Sequence, residues 1–439
     1  MRLRRMAVGF PLVLACAGPR PSGRFSAEPG LQPGSDALSQ AVSQRRRVLP
    51  GIDVLLTDSA HLIAGRRLGL ITNQTGVDAA GVPSIDRLHA LSDRGQQPAA
   101  SGQRPAAGAR LVALFAPEHG IRGTARPGER VNDTVDAATG LPIYSLYGAN
   151  RAPTAQQLEG LDVLLVDLQD VGARTFTYVS TMVLAMRAAA AVGKRIIVLD
   201  RPNPIGCTMQ GPVLDTAYSS FIGMLPVPLR HGMTMGELAR FANAELRIGA
   251  DLVVVPVKGW RCEWFDQTGL PWVRPSPNLP DLEAVAWYPG TVLFEATNLS
   301  VGRGTDAPFR QIGAPWLDVR EYQSRLRAAG VAARFTTFTP RAPADGKFDG
   351  REVRGLELPA RARTLDPVAV SLWMIVLMAE DDSFRIDTLG LRRRLGTAFE
   401  SRGDPWCQAR RCSGPRAYDW SRELAAFRGR ARSHFLYRR

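Results

Sequence analysis

Four short apolar runs in this sequence each end in residues that can do chemistry. Residues 68–72 lead into Asn73-Gln74-Thr75-Gly76, and 111–115 into Pro117-Glu118-His119-Gly120. Residues 163–167 lead into Asp167-Leu168-Gln169-Asp170-Val171-Gly172, with Arg174 and Tyr178 just beyond. Residues 196–200 end in Asp200-Arg201-Pro202-Asn203-Pro204. A single Asp or Asn in such a place is ordinarily a turn or cap residue. Carboxylates, amides and an imidazole at four successive run ends point instead to one shared polar cleft. Glu118 is the sharpest candidate. It directly follows an apolar run and a proline, so it should sit at a partly desolvated edge, and burial disfavours the ionised form of a carboxyl, as a general acid requires. His119 beside it would orient it or bind substrate. Asp170 has a near neighbour in Arg174, which is equally the pattern of a structural ion pair.

The elements that must position these residues follow from the pattern of the runs. Continuous apolar stretches at 68–72, 111–115, 163–167, 196–200 and 252–257 fit strands covered on both faces, as in a parallel sheet. Between them, 177–192 is Ala- and Met-rich with helical spacing, and 233–248 opens with Thr234 three residues ahead of Glu237, a capping box. Strand–helix alternation predicts a doubly wound, Rossmann-like α/β domain over 48–265. In such sheets ligands bind at the carboxyl ends of the strands, which is where the polar clusters fall. The polar stretch 92–110 reads as a surface insertion. From about 266 the chain turns Pro-rich and aromatic, and a smaller α/β or α+β domain is expected over 266–439, with a strand at 333–338 and helices near 366–380, 387–400 and 419–430. A length of 439 residues suits two domains, each with its own core.

The second domain carries a denser loop, Phe294-Glu295-Ala296-Thr297-Asn298-Leu299-Ser300-Val301-Gly302-Arg303-Gly304-Thr305. Its glycines flank an arginine and allow a ligand to approach the backbone and guanidinium closely. Gly302 and Gly304 lack the third glycine and the strand–helix placement of a dinucleotide fingerprint. No P-loop, H-E-x-x-H or G-x-S-x-G pattern occurs, and the five histidines are too scattered to suggest a metal site. The sequence therefore predicts neither cofactor nor metal.

The ends and the charge bear on location. Arg2, Arg4 and Arg5 precede an apolar run at 6–15 and then Cys16, the pattern of an export signal over 1–16. The run is about half the ~20 residues needed to span a bilayer. Val13-Leu14-Ala15-Cys16 resembles a lipobox, in which the cysteine is lipidated and tethers the chain to a membrane. The expected location is thus periplasmic or membrane-anchored in a bacterium, or cytoplasmic if the start is mis-assigned. Residues 17–47 are Pro/Gly/Ser-rich and read as a linker. Of the remaining cysteines, Cys207, Cys262, Cys407 and Cys412, the local pair Cys407 and Cys412 is the favoured disulfide. The net charge is +14, yet only three of 55 basic residues are lysines (Lys194, Lys258, Lys347). Arginines spread along the chain without a reading motif suggest no nucleic-acid partner.

Taken in order, NQTG, LFAPEHGIRG, DLQDVGARTFTY, LDRPNP, LFEATNLSVGRGT and the closing ELAAFRGRARSHFLY resemble one family, the NamZ-type exo-β-N-acetylmuramidases. The resemblance runs from about residue 49 to the end; the insertion, the N-terminal segment and the stretch around 407–412 depart from it. It implies a Rossmann-like domain and a smaller C-terminal domain with the active site between them, no metal or nucleotide, and release of N-acetylmuramic acid from the non-reducing end of peptidoglycan fragments. It maps the catalytic glutamate to Glu118. A glycosidase commonly uses two carboxyl groups, and the partner is Glu295, Asp170 or Asp167, with Glu295 ranked first. Substrate assistance by the 2-acetamido group would remove the need for a second carboxylate. The lactyl carboxylate of the sugar calls for cationic readers, Arg303 and Arg174; Asn73, Asn203 and Asn278 would hold hydroxyls or the acetamide. The competing reading is a non-catalytic envelope protein that captures anionic muropeptides.

Overall fold

The strand run 163–167 shows how the sheet is built. In the computed structural model it forms β5 (Val163–Asp167), every residue of which is buried. Val163 and Leu165 point into one core, while Leu164 and Val166 point into another. Two cores, one on each face, are what an uninterrupted apolar strand requires. The structure describes residues 47–94, 106–123, 132–148, 150–360, 362–396 and 419–439. The export signal with Cys16, the linker up to residue 46, most of the 92–110 insertion, and Cys407 with Cys412 lie outside the described residues.

β1 (Arg67–Thr72), β2 (Arg110–Ala116), β3 (Thr134–Val135), β4 (Pro142–Ser145), β5, β6 (Arg195–Leu199) and β9 (Leu252–Val255) form a seven-stranded sheet in the order β3-β4-β2-β1-β5-β6-β9. All neighbours are parallel except the short edge strand β3, which runs antiparallel to β4. The chain goes out from β1 to β2 and β4, then returns to β5, β6 and β9 on the other side. This is the doubly wound order, and its reversal point lies between β1 and β5. The larger core packs the short α3 (Ala155–Glu159), α4 (Tyr178–Ala191) and α5 (Met235–Glu245) on one face. The other face is covered by α1 (Gly51–Thr57) and α2 (Ser84–Arg94). The Thr234–Glu237 capping box forms as the spacing predicts. Both helices predicted within the first domain, 177–192 and 233–248, and all five predicted sheet strands are present.

A small hairpin of β7 (Gln210–Val213) and β8 (Pro228–Arg230) follows β6. Cys207 and Cys262 form a disulfide that spans it, a pairing the sequence did not single out; the expected Cys407–Cys412 pair falls on residues that are not described. Beyond β9, α6 (Leu282–Thr291) continues into a 3-10 segment, Val292–Ala296. A three-stranded antiparallel sheet, β10 (Gln311–Ala314), β12 (Val353–Glu357) and β11 (Arg334–Phe338), comes next, with α7 (Val319–Ala328) against it. α8 (Pro367–Met378) is buried along its whole length and packs on α6. The two helices meet so closely that a Cβ on Gly290 would lie 1.9 Å from the Pro367 carbonyl oxygen, so only glycine fits there. α9 (Thr388–Leu395) and α10 (Ser421–Ala431) complete the described elements. After α10 the chain returns to the first sheet. Tyr437 donates to Asp200 Oδ2 (2.5 Å), and the Leu436 amide donates to Glu237 Oε1 (2.8 Å).

Candidate active site

At the end of β2 the backbone turns sharply. His119 and Gly120 both take positive φ, 75° and 73°. A left-handed non-glycine residue is uncommon, and it usually marks a place where the chain must be aimed. Here the turn buries His119 and leaves Glu118 half-buried at the wall of a cavity of about 710 Å³. The Thr177 hydroxyl lies 3.4 Å from Glu118 Oε2, and the Tyr147 hydroxyl also hydrogen-bonds to this carboxylate. Burial first, and then the charge of Glu118, push the Tyr147 phenol upward. Thr177 comes from the loop after β5 and Tyr147 from the loop after β4, so the ends of three strands fix one carboxylate. Arg151 stands on the same side of the sheet sequence, its guanidinium 4.4 Å over the ring of Phe221.

The remaining wall comes from the second half of the chain. Glu295 sits in the 3-10 segment after α6, and Arg303 in the loop that follows. Gly304 takes positive φ, and a Cβ there would lie 2.5 Å from the Arg341 carbonyl oxygen, which is how the loop is pulled tight behind Arg303. Arg303 donates through Nε (2.8 Å) and Nη2 (2.5 Å) to Glu295 Oε1, while Arg394 Nη2 reaches Glu295 Oε2 at 3.2 Å. Burial alone would push the Glu295 carboxyl up. The two guanidiniums outweigh it and hold the group below its ordinary value. Tyr288 lines the cavity beside them; burial, then the Glu295 charge, pushes its phenol up to about 12. Arg393 and Asn278 also line the cavity. Two carboxylates and four guanidiniums thus face one space, with Phe176, Phe221 and Phe309 supplying flat apolar surface. Aromatic faces beside paired polar groups are a usual way to hold a sugar ring.

The sequence model of the N-terminal part of the exo-β-N-acetylmuramidase NamZ matches residues 68–283, and that of its C-terminal part matches 286–437. The chain belongs to the NamZ family. The peptidoglycan β-N-acetylmuramidase NamZ of Bacillus subtilis is 44% identical over 321 residues, which cover 72% of this chain and 73% of the relative. Two solved DUF1343-family structures from Bacteroides fragilis share the fold. One has a TM-score of 0.74 at 32% identity, covering 90% of this chain and 100% of the other. The second has a TM-score of 0.69 at 30% identity, covering 89% and 99%.

Within this NamZ-family fold the residues named from sequence separate into two groups. Glu118, His119, Asn278, Glu295 and Arg303 all line the cavity. Arg174, Asn73, Tyr178, Asn203 and Asp170 are buried and not on its wall. Arg174 cannot read a substrate carboxylate as expected. Its Nη1 donates to the carbonyls of Pro212 (2.8 Å) and Val227 (2.5 Å), and Nη2 to that of Arg394. Asn73 donates to the Tyr178 hydroxyl (2.6 Å), which itself donates to the Pro275 carbonyl (3.0 Å). Asn203 bridges the Met233 carbonyl and the Ile205 amide. Both amides are buried off the cavity wall and bonded to the scaffold.

The alternative acid–base partners are likewise occupied. Asp167 is held bidentately by Arg201 (2.6 and 2.9 Å) and accepts from Ser84 (2.5 Å). Asp170 does not pair with Arg174; it takes the Gly172 amide at 2.6 Å and lies 3.1 Å from His231 Nε2. Among the described residues, no group of three or more His, Cys, Asp or Glu side chains is arranged to hold a metal ion. The sequence reading missed Tyr147, Arg151, Phe221, Arg393 and Arg394. The run Arg392-Arg393-Arg394 closes a helix and looks like an ordinary solvated face, so no local signal set it apart.

Proposed function

We propose that this chain is an exo-acting glycosidase that releases N-acetylmuramic acid from the non-reducing end of peptidoglycan fragments. Family membership supports the reaction class, and the B. subtilis relative supplies the peptidoglycan substrate. The observation that carries the reading is Glu118, the carboxyl that three strand ends aim into a polar, aromatic-lined cavity. In this reading Glu118 gives its proton to the glycosidic oxygen as the bond to C1 breaks. The second participant is the substrate's own 2-acetamido oxygen, which attacks C1 from the opposite face. Water then opens the resulting ring and returns a proton to Glu118. Glu295, ranked first from sequence as the second carboxyl, already accepts guanidinium donors on both oxygens, which favours the acetamido group in this role.

The test is release of the aglycone from a chromogenic N-acetylmuramide. Turnover by the native chain, lost in a folded Glu118→Gln protein, supports the reading. Calorimetric binding of muropeptides with no turnover on any muramide would replace it with the capture protein.

The same reading places the Rossmann-like catalytic domain at 48–265 and the closing domain at 266–439. Export through residues 1–16, with Cys16 lipidated, goes with it. The basic start and short apolar run support export, and the Cys207–Cys262 disulfide suits an oxidising compartment. Cys16→Ser should then leave the membrane fraction.

A further inference from the structure

Glycosidic chemistry occupies one side of the cavity, but most of its charge lies on the other. Among the described residues, Arg303, Arg393 and Arg394 share a wall with a single carboxylate, Glu295. Lys347 stands directly behind them, its ammonium donating to the carbonyls of Phe294, Glu295 and Leu299. Burial lowers the Lys347 pKa against the opposing charges of Asp345 and Glu295, with Arg394 and Arg303 adding to the lowering, so a further cation stands partly desolvated behind this wall. Positive charge gathered in a partly buried cavity is unfavourable unless an anion joins it.

The donors are also not all used. Arg303 gives Nε and Nη2 to Glu295, and its plane is fixed 4.9 Å over the Phe309 ring. Arg394 gives Nη2 to Glu295 and Nη1 to the Gly390 carbonyl, 3.0 Å away, while its buried Nε meets no acceptor. Arg393 lines the same cavity from the last turn of α9, and no ion pair or hydrogen bond of its side chain forms among the described residues. An arginine whose fork is uncommitted, beside two that are held in place, is suited to bidentate recognition of a carboxylate.

We infer that Arg393, with Arg303 and Arg394, forms the subsite for the carboxylate on the substrate's non-reducing sugar, and that Glu295 is a positioning residue that orients this wall. The inference rests on the glycosidase reading and deepens it. N-acetylglucosamine differs from N-acetylmuramic acid by lacking the ether-linked lactyl group, so this wall is the element that would tell the two apart. Glu295 acts through the arginines. Its carboxylate holds two guanidiniums close together that would otherwise repel, leaving their remaining donors directed at the substrate.

Steady-state kinetics on a chromogenic N-acetylmuramide and the matching N-acetylglucosaminide test this. One charge-assisted pair is worth roughly 1.5–3 kcal/mol, or about 10- to 100-fold. Arg393→Gln should therefore raise KM for the muramide by about 10- to 100-fold, with a far smaller change in kcat, and lower the preference for the muramide by a similar factor. Arg393→Lys should recover part of that loss. Glu295→Gln should also act mainly through KM and preference. Unchanged KM and preference in Arg393→Gln would overturn the subsite, and loss of kcat by Glu295→Gln on both substrates would overturn the positioning role. The glycosidase reading fails separately, if the native protein turns over no muramide. Calorimetry with free N-acetylmuramic acid against N-acetylglucosamine then still decides the subsite: preference for the acid, lost in Arg393→Gln, upholds it, and equal affinity overturns it.

Discussion

The carboxyl edge of the main sheet has two sides that began with the same kinds of residue and ended differently. On the side of β1, β5 and β6, four of the polar residues at the strand ends are committed to partners within the protein. Asp167 clasps Arg201 and Ser84, Asn73 meets Tyr178, Asn203 ties two backbone groups, and Asp200 accepts from Thr234, Tyr437 and the Gly236 amide. On the side of β2 and β4, Glu118 is braced by Thr177 and Tyr147 yet remains on the cavity wall. Doubly wound sheets usually take their ligand at the reversal point, here between β1 and β5. In this protein a buried ion pair fills that crevice, and the cavity has moved toward β2, where the second half of the chain can supply the opposing wall. A polar strand end is therefore a site only where the fold leaves it unspent.

Substitutions on the two sides should separate activity from stability. Glu118→Gln should lower kcat on a muramide by about 10²- to 10⁴-fold, with a melting temperature close to native; a large loss of stability would erase the distinction. Asp167→Asn should do the reverse. It strands Arg201 in the core and should cost about 3–5 kcal/mol of folding stability, measured by denaturant titration, while the folded fraction keeps its kcat.

The scaffold side also predicts a pH dependence. Burial raises the Asp200 carboxyl to about 6, against 3.8 for the unconstrained group. A raised folded pKa means that the folded state binds the proton more tightly. Its contribution is thus fully present below pH 3.8 and is lost as the pH climbs through about 6, up to about 3 kcal/mol in all. Asp200→Asn should flatten that part of the stability–pH curve, and an unchanged slope would show that Asp200 does not set it. The smallest effect is expected from Asn73→Ala, which leaves the Tyr178 hydroxyl without its donor. A loss of about 1–2 kcal/mol with kcat preserved would sharpen the contrast, whereas a fall in kcat would return Asn73 to the site.

Much of the fold could be read from the sequence because buried strands such as β5 need apolar residues on both faces, and only a covered parallel sheet allows that. The capping box at Thr234 is equally local. Glu118 was legible because it directly follows an apolar run and a proline. The turn at His119 and Gly120 that places it on the cavity wall is a structural detail the sequence did not show. The fates of Asp167 and Arg174 were not legible. Each was decided by a partner distant in sequence: Arg201 across the sheet for Asp167, and the carbonyls of Pro212, Val227 and Arg394 for Arg174. The arginines of α9 were hidden for the opposite reason. Nothing in a basic helix end reveals that Glu295, 99 residues earlier, will meet it.

Cys207 and Cys262 are 55 residues apart, and the segment they close includes Ser220, Phe221 and Ile222 of the cavity. Closing a loop of that length removes roughly 4 kcal/mol of chain entropy from the unfolded state. Protein collected from a reducing cytosol and protein collected from an oxidising medium would then share a sequence but not a heat tolerance. The redox history of a preparation becomes a variable to fix before any two activities are compared.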